Sequence, residues 1–184
     1  MVEDISFHLF DLVQNSVAAG ARVVRLEIRD AGDKDGLEIE VVDDGRGMDE
    51  RTLLRVQDPF FTSKRFKKVG LGIPLLKATS EVCGGDFAIA SRPGEGTSVR
   101  AFLRRGHLDC PPLGDLEGAL LALMTTLEGI DLRFSYRSPG GEFSVSSAEA
   151  RAEAGGLPLS HPEVQRFLRQ FIHEGLAGLL PAPG

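Results

Sequence analysis

The sequence has little of several features that mark particular classes of protein. No apolar run approaches the roughly 18 residues that a membrane span needs. Its start, MVEDISFHLF, is acidic and lacks a long apolar stretch, so we expect no secretory signal. The two cysteines, Cys83 and Cys110, are too few for a disulfide framework. These deficits favour a protein of the reducing cytoplasm that does not enter a membrane.

The overall charge is acidic, and positive charge is concentrated at one place. The 184 residues carry a formal net charge of −6, with 42% hydrophobic and 26% charged residues. These proportions are typical of a globular protein, while the negative charge disfavours nucleic acid as a partner. The one basic cluster is Lys64, Arg65, Lys67 and Lys68. It falls in a predicted loop over residues 57–70, where it forms either a solvated surface or a phosphate contact.

The first hundred residues have the pattern α-β-β-α-loop-α-β-β. Helical spacing of apolar residues predicts a helix over 5–19, capped by Asp4 and stopped by Gly20. Alternating apolar residues predict a hairpin from 24 to 41 with one buried face. Helices are predicted over 49–56 and 72–82, and strands over 86–91 and 97–104. This order predicts helices packed on one face of a mostly antiparallel sheet.

A change in composition near Gly106, followed by Pro111-Pro112, marks the start of a second region. It reads as a helix over 115–128, a hairpin around Pro139-Gly140-Gly141 and a final helix over 161–177. We therefore divide the chain into residues 1–106 and a small α-β-β-α extension, 107–184. The extension is either a separate subdomain or packs on the first region.

Three short segments in the first region carry candidate chemistry. Asp11 and Asn15 are four residues apart on one helix face, where an amide oxygen suits Mg²⁺ and a carboxylate suits proton transfer. Asp43 ends a strand beside Gly45 and Gly47, so it can accept a hydrogen bond from a base whose flat face approaches the glycines. Gly70 and Gly72 lie at a helix start that can attract phosphate. Each segment alone also has an ordinary structural explanation.

A fourth segment, the turn Gly94-Glu95-Gly96-Thr97, ends in a hydroxyl and by itself reads as a plain hairpin. Taken in order, the four segments resemble the motifs of one ATPase superfamily, which includes gyrase, the large heat-shock chaperone, histidine kinases and MutL. FDLVQNSVAAGA resembles the N-box, DDGRGM and VGLGIPLLK the two glycine boxes, and GEGT the last motif. DPFFTSK resembles the lid segment of many histidine kinases. The resemblance covers about residues 4–104, and it implies a two-layer α/β sandwich that binds ATP with Mg²⁺.

The resemblance also implies a role for each matching residue. Asn15 would bind Mg²⁺, Asp43 would bind the adenine amino group, and Gly45 and Gly47 would lie beside the base. Gly70 and Gly72 would contact the phosphates. Lys64 would lie in the lid, and Thr97 would support the adenine pocket.

This sequence departs from the MutL-like pattern at two positions. Asp11 stands where those proteins have the catalytic Glu, and Ala18 stands where an Asp is common. Both departures bear on hydrolysis rather than on binding. We therefore keep two functional classes: a regulatory ATP-binding module, or an enzyme that phosphorylates a partner protein or hydrolyses ATP slowly.

The whole chain also resembles a narrower group of small stand-alone ATP-binding proteins, often encoded beside iron-hydrogenase and NADH-oxidoreductase subunits. HLDCPPLGDL, IDLRFSYR and HPEVQRFLRQFIHEGL carry this likeness. Histidine kinases place their phosphoacceptor on a separate hairpin ahead of the ATP domain, so we expect a local structural role for His8. His107 and Cys110 have a metal-like spacing, but a zinc site needs four ligands and only Cys83 is a further candidate.

Overall fold

The computed structural model describes residues 4–32, 36–58 and 72–181. Within these ranges the chain forms one six-stranded sheet with strand order β3-β4-β2-β1-β5-β6. The elements along the chain are α1 (Ile5–Ala18), β1 (Val23–Asp30), β2 (Leu37–Asp43), α2 (Glu50–Arg55), α3 (Gly72–Val82), β3 (Asp86–Arg92), β4 (Gly96–Leu103), α4 (Leu116–Thr126), β5 (Asp131–Ser138), β6 (Gly141–Ser146), α5 (Ser147–Glu153) and α6 (Pro162–Leu176).

Local sequence signals explain most helix ends. The carboxylate of Asp4 accepts a hydrogen bond from the backbone N–H of Phe7 at 2.9 Å, as a helix N-cap does. Gly20 follows α1 with φ of +78°, a left-handed conformation that glycine adopts without strain. Asp49 caps α2 in the same way as Asp4 caps α1. The predicted start and stop of the first helix are therefore confirmed.

The sheet has one buried face and one charged face. On β1 and β2 every second residue is buried, as the alternation predicts. The alternate residues of these strands form ion pairs along the exposed face. Arg29 on β1 contacts Glu38 on β2, and Arg100 on the neighbouring β4 contacts Glu38 and Glu40. Such exposed pairs contribute little to stability. They do keep this face solvated, and the core forms between the other face and the helices.

The second region joins the sheet of the first. β5 pairs in parallel with β1, while the other neighbouring strands pair antiparallel, as expected of a mostly antiparallel sheet. Buried Asp30 at the end of β1 accepts hydrogen bonds from the hydroxyl of Tyr136 at 2.8 Å and from Arg105. Burial, and then the hydrogen bond to Asp30, raise the pKa of the Tyr136 hydroxyl. Of the two arrangements left open above, the extension packs on the first region.

One helix, α5, was not predicted. Ser146 caps it by accepting from the backbone N–H groups of Ala148 and Glu149. Of its seven residues only Ser147 is buried, so the sequence shows no apolar stripe that would predict a helix here. The extension is therefore α-β-β-α-α rather than α-β-β-α. The apolar contact of α5 with the core comes from Ala150 and from the C-cap residue Ala154, whose side chains are too small to form a recognisable apolar stripe.

Candidate nucleotide site

A cavity of about 470 Å³ opens between α1, the ends of β2 and β4, and the segment after β2. Four aliphatic side chains give it an apolar floor: Leu12, Val41, Ile73 and Val99. Asn15, Asp43 and Thr97 add polar groups to its wall. A mostly apolar cleft with a few convergent polar groups is the usual form of a small-ligand site.

Asp43 is the buried acceptor of this cavity. The residue is only 8% exposed, and each carboxylate oxygen has a protein donor. The Ser16 hydroxyl donates to Oδ2 at 2.7 Å, and the Gly45 backbone N–H donates to Oδ1 at 2.9 Å. A carboxylate oxygen can accept more than one hydrogen bond. The group is therefore held in place with capacity left for a donor in the cavity.

Gly45 and Gly47 lie where the backbone is crowded. A Cβ on Gly45 would stand 2.9 Å from the Ala19 Cβ and from Asp43 Oδ1. Gly47 has φ of +65°, and a Cβ there would collide with the carbonyl of Arg92. Gly47 also lines the cavity, whereas Gly45 acts on it through its hydrogen bond to Asp43. Both glycines therefore have a packing reason beside the ligand reason.

Thr97 lies opposite Asp43 in the β2–β4 register. Its hydroxyl is 3.0 Å from the hydroxyl of Ser91, which donates its one proton to the Gly96 carbonyl at 2.8 Å. Thr97 is consequently the donor to Ser91, and its remaining lone pairs are available as acceptors. Ser91 also accepts from the Met48 backbone N–H at 2.8 Å, so it connects β3 to the segment that follows Asp43.

The start of α3 meets the polar face of α1. A Cβ on Gly72 would stand 2.8 Å from the Asp11 Cβ and 3.5 Å from Asn15 Nδ2. A side chain at position 72 would therefore push the two helices apart. Because Gly72 is so close to Asn15, the N-terminus of α3, which favours anions, lies next to the Asn15 amide. Asn15 also lines the cavity. Lys64, Gly70 and most of the predicted lid, 57–70, lie outside the described residues.

The fit for a metal ion depends on Asn15. Within 4–32, 36–58 and 72–181, no group of three or more His, Cys, Asp and Glu side chains is placed to hold one. Mg²⁺ commonly takes few protein ligands and completes its shell with phosphate oxygens and water. The half-buried amide of Asn15 beside the α3 N-terminus is compatible with that kind of site.

His8 lies between two helices. It is buried, and its Nε2 is 3.3 Å from the hydroxyl of Thr79 on α3. Cys83 is also buried, and burial raises the pKa of its thiol to about 12, with nearby Cys110 contributing.

Sequence reasoning missed Ser16 and Ser91, the two hydroxyls that hold Asp43 and Thr97. The sequence did contain one indication of the role of Ser16, because this residue lies on an otherwise apolar helix face with Leu9, Leu12 and Val13. A buried hydroxyl on such a face needs a hydrogen-bond partner. Ser91 had no comparable signal in the sequence.

Comparison with known proteins agrees with this architecture. The family described as histidine kinase-, DNA gyrase B- and HSP90-like ATPase matches residues 3–107. Because that match covers more than half of the chain, the protein belongs to this family. Its first region is an ATP-binding domain of the histidine kinase and gyrase type.

Individual relatives cover a similar part of the chain. It is 36% identical over 107 residues to the sensor histidine kinase YxdK of Bacillus subtilis, covering 55% of this chain and 33% of that protein. It is 37% identical over 95 residues to the sensor protein kinase FleS of Pseudomonas aeruginosa, covering 52% and 23%. The chain thus spans a third or less of these two relatives' length.

A solved structure shares the fold over a longer stretch. The crystal structure of the N-terminal domain of a DNA repair protein superposes with a TM-score of 0.52 at 14% identity. It covers 77% of this chain and 52% of that one. The matched 77% of this chain is longer than the family match, residues 3–107, so the common fold continues past residue 107.

Among the described residues, no helix is both long and apolar enough to cross a bilayer.

Proposed function

We propose that this chain binds ATP with Mg²⁺ as a regulatory module whose nucleotide occupancy is transmitted to a partner protein. The observation that carries the proposal is the carboxylate of Asp43, buried in the cavity wall and oriented by Ser16 and Gly45. An acceptor-only group oriented in this way suits the exocyclic amino group of adenine. Guanine presents a carbonyl at the equivalent position and would meet repulsion.

The other ligand contacts follow from position. Thr97, the cross-strand neighbour of Asp43, would support the adenine pocket beside it, and Gly47 would allow the base to approach the backbone. Asn15 would hold Mg²⁺ through its amide oxygen, and the bound ion would neutralise phosphate charge. The remaining phosphate contacts would come from Gly72 at the start of α3, together with Gly70 and Lys64.

Two observations favour regulation over turnover. The side chain of Asp11 is one methylene shorter than that of the catalytic Glu in ATPases of the MutL type. The shorter side chain places the carboxylate about 1.5 Å further back. A displacement near 1 Å can cost about a hundredfold in rate. Residues 107–184 extend the same sheet through β5 and β6, so they are suited to sense changes in the nucleotide-binding region, 1–106.

The second candidate is an enzyme, and the relatives named as sensor kinases favour it. In that case Asp11 would act on a hydroxyl or imidazole supplied by a partner protein, and the partner would compensate for the shorter side chain. With either candidate we propose a cytoplasmic protein. A protein partner is expected for the regulatory module and for the kinase. Nucleic acid is not expected as a partner, because the chain carries a net negative charge.

One experiment separates these functions. The protein is incubated with ATP labelled at the γ-phosphate, alone and with candidate partner proteins, and the label is followed. The regulatory proposal expects binding without turnover. Label on a partner would establish the kinase alternative, and slow release of labelled phosphate by the protein alone would establish the ATPase.

Variants at Asp11 make the result interpretable. Asp11→Asn should abolish any phosphoryl transfer while leaving ATP binding close to that of the parent. Asp11→Glu restores the longer side chain and should raise any hydrolysis. A brisk ATPase rate of the parent alone that survives Asp11→Asn contradicts both accounts of this residue.

A further inference from the structure

A second groove, larger than the nucleotide cavity, lies in the extension between β6, α5 and α6. Its volume is about 760 Å³. The floor and walls include Val145 on β6, Ala150 on α5, and Val164 and Phe167 on α6. It lies beyond β1 and β5 in the sheet, three strands from β2. At the usual strand spacing this is about 14 Å from the strand that carries Asp43.

Exposed apolar side chains are concentrated at this groove. Phe167 is 66% exposed, Phe171 43% and Leu157 42%. The rings of Phe167 and Phe171 stack with their centroids 6.4 Å apart. The ring centroid of Phe171 is also 5.5 Å from that of the buried Phe143. Single exposed apolar residues are common on any surface. A cluster of aromatic residues that lines a groove marks an interaction site instead.

Among the residues that the structure describes, the charged groups that line the groove are all acidic. They are Glu149 and Glu153 on α5 and Glu163 at the start of α6. At 100° per residue, Arg166 and Arg169 project from the side of α6 opposite the groove-lining Phe171, and neither lines the groove. An apolar floor with a rim of one charge selects an occupant of the opposite charge.

The same charge disfavours self-association. A second copy of the chain, itself at −6, would bring further negative charge near the three carboxylates everywhere except at its basic cluster, Lys64, Arg65, Lys67 and Lys68. A basic segment that carries apolar side chains meets both requirements of the groove. It buries the exposed rings and pairs with Glu149, Glu153 and Glu163.

We propose that the groove between β6, α5 and α6 is a docking site for a basic, apolar-anchored segment of a partner protein. Phe167 and Phe171 supply the apolar contact, and the three glutamates select Lys or Arg beside it. The site is separate from the nucleotide cavity, so docking and ATP binding are tested independently.

The test uses three short synthetic peptides on the full chain. One alternates Lys with Leu, the second replaces every Lys with Glu, and the third keeps Lys and replaces Leu with Ser. Affinity is measured by fluorescence anisotropy, and the bound surface is mapped by amide chemical shifts. The Lys/Leu peptide should bind most tightly, with shifts at Val164, Phe167 and Glu153, and its affinity should fall as salt rises.

Matched variants assign the binding to the groove. Phe167→Ser should weaken binding of the Lys/Leu peptide about tenfold or more, as expected for a central aromatic contact. Leu108→Ser, at a position 97% exposed and outside the groove, should leave it unchanged. Glu149→Lys with Glu153→Lys should shift preference toward the Glu/Leu peptide, whereas Glu81→Lys with Glu128→Lys should not.

Three outcomes overturn the proposal. The first is equal binding of all three peptides, and the second is binding that is insensitive to Phe167→Ser in a variant whose circular dichroism matches the parent. The third is a dimer, seen by sedimentation, that Phe167→Ser dissociates, which would assign the groove to a second copy. Loss of ATP binding through Asp43→Ala should leave peptide binding intact, which separates this test from that of the nucleotide site.

Discussion

The hydroxyl of Ser16 donates a hydrogen bond to Oδ2 of Asp43 across 2.7 Å, and this bond joins α1 to the end of β2. Both side chains are buried, at 3% and 8% exposure. A helix and a strand distant in sequence are thus connected at the residue that would recognise adenine. The connection makes the orientation of Asp43 depend on how α1 packs.

Ser16→Ala should therefore destabilise the fold and weaken nucleotide binding. It removes one of two donors to a buried carboxylate, a loss of about 1.5–3 kcal/mol for a bond to a charged group. Urea denaturation measures the stability, and calorimetry measures ATP affinity. Ser135→Ala, on β5 outside the cavity, is the control, and equal behaviour of the two variants would argue against a positioning role for Ser16.

Asp43→Ala should weaken ATP binding about tenfold to a hundredfold, since it removes the adenine acceptor. Asp43→Asn keeps one acceptor oxygen and should lose less. The neighbouring Asp44→Ala is the control, because Asp44 bonds to the N–H groups of Arg22 and Val23 and does not line the cavity. Parent-like affinity of Asp43→Ala in calorimetry would mean that the site is assigned wrongly.

Asn15→Ala should weaken binding of the Mg²⁺–ATP complex more than binding of ATP in the presence of a chelator. The proposed ligand to the ion is the amide oxygen, so its removal acts through the metal. Gln14→Ala, one residue earlier on α1 and outside the cavity, should change neither. Equal losses for Asn15→Ala with and without Mg²⁺ would remove Asn15 from the metal shell.

Gly47→Ala should destabilise the protein by more than the roughly 1–2 kcal/mol that a left-handed conformation costs a non-glycine residue. The added Cβ would also collide with the Arg92 carbonyl. Gly20→Ala is a matched control, with φ of +78° and no atom within 4 Å of its Cβ. The difference between the two unfolding free energies measures the collision, and similar values would show that the β2–α2 segment relaxes.

Asp44 should add a pH-dependent contribution to stability. The hydrogen bond from the Val23 N–H, assisted by that from Arg22, lowers the pKa of its carboxyl despite some burial. A lowered folded-state pKa stabilises the protein above the unfolded value, near 3.9. That contribution is lost as the pH falls through the folded-state pKa. The stability difference between the parent and Asp44→Asn should therefore shrink below about pH 4 and stay constant above it, as followed by urea denaturation.

Local signals allowed most elements and motifs to be predicted from the sequence. Asp4, Gly20 and Asp49 mark helix ends through their own side chains or backbone. The alternation on β1 and β2 determines which face is buried, because successive strand residues point to opposite sides. The order of the nucleotide motifs indicated the family in the same way, since each motif is a short, continuous stretch.

Only the tertiary structure decided what depends on residues far apart in the chain. The parallel pairing of β1 with β5 joins segments about a hundred residues apart, and no local pattern encodes that choice of neighbour. The bond from Ser16 to Asp43 and the contact of Gly72 with Asp11 arise only when α1, α3 and the sheet pack together. The acidic groove likewise exists only because α5 and α6 meet beside β6, which brings distant, individually unremarkable side chains onto one surface.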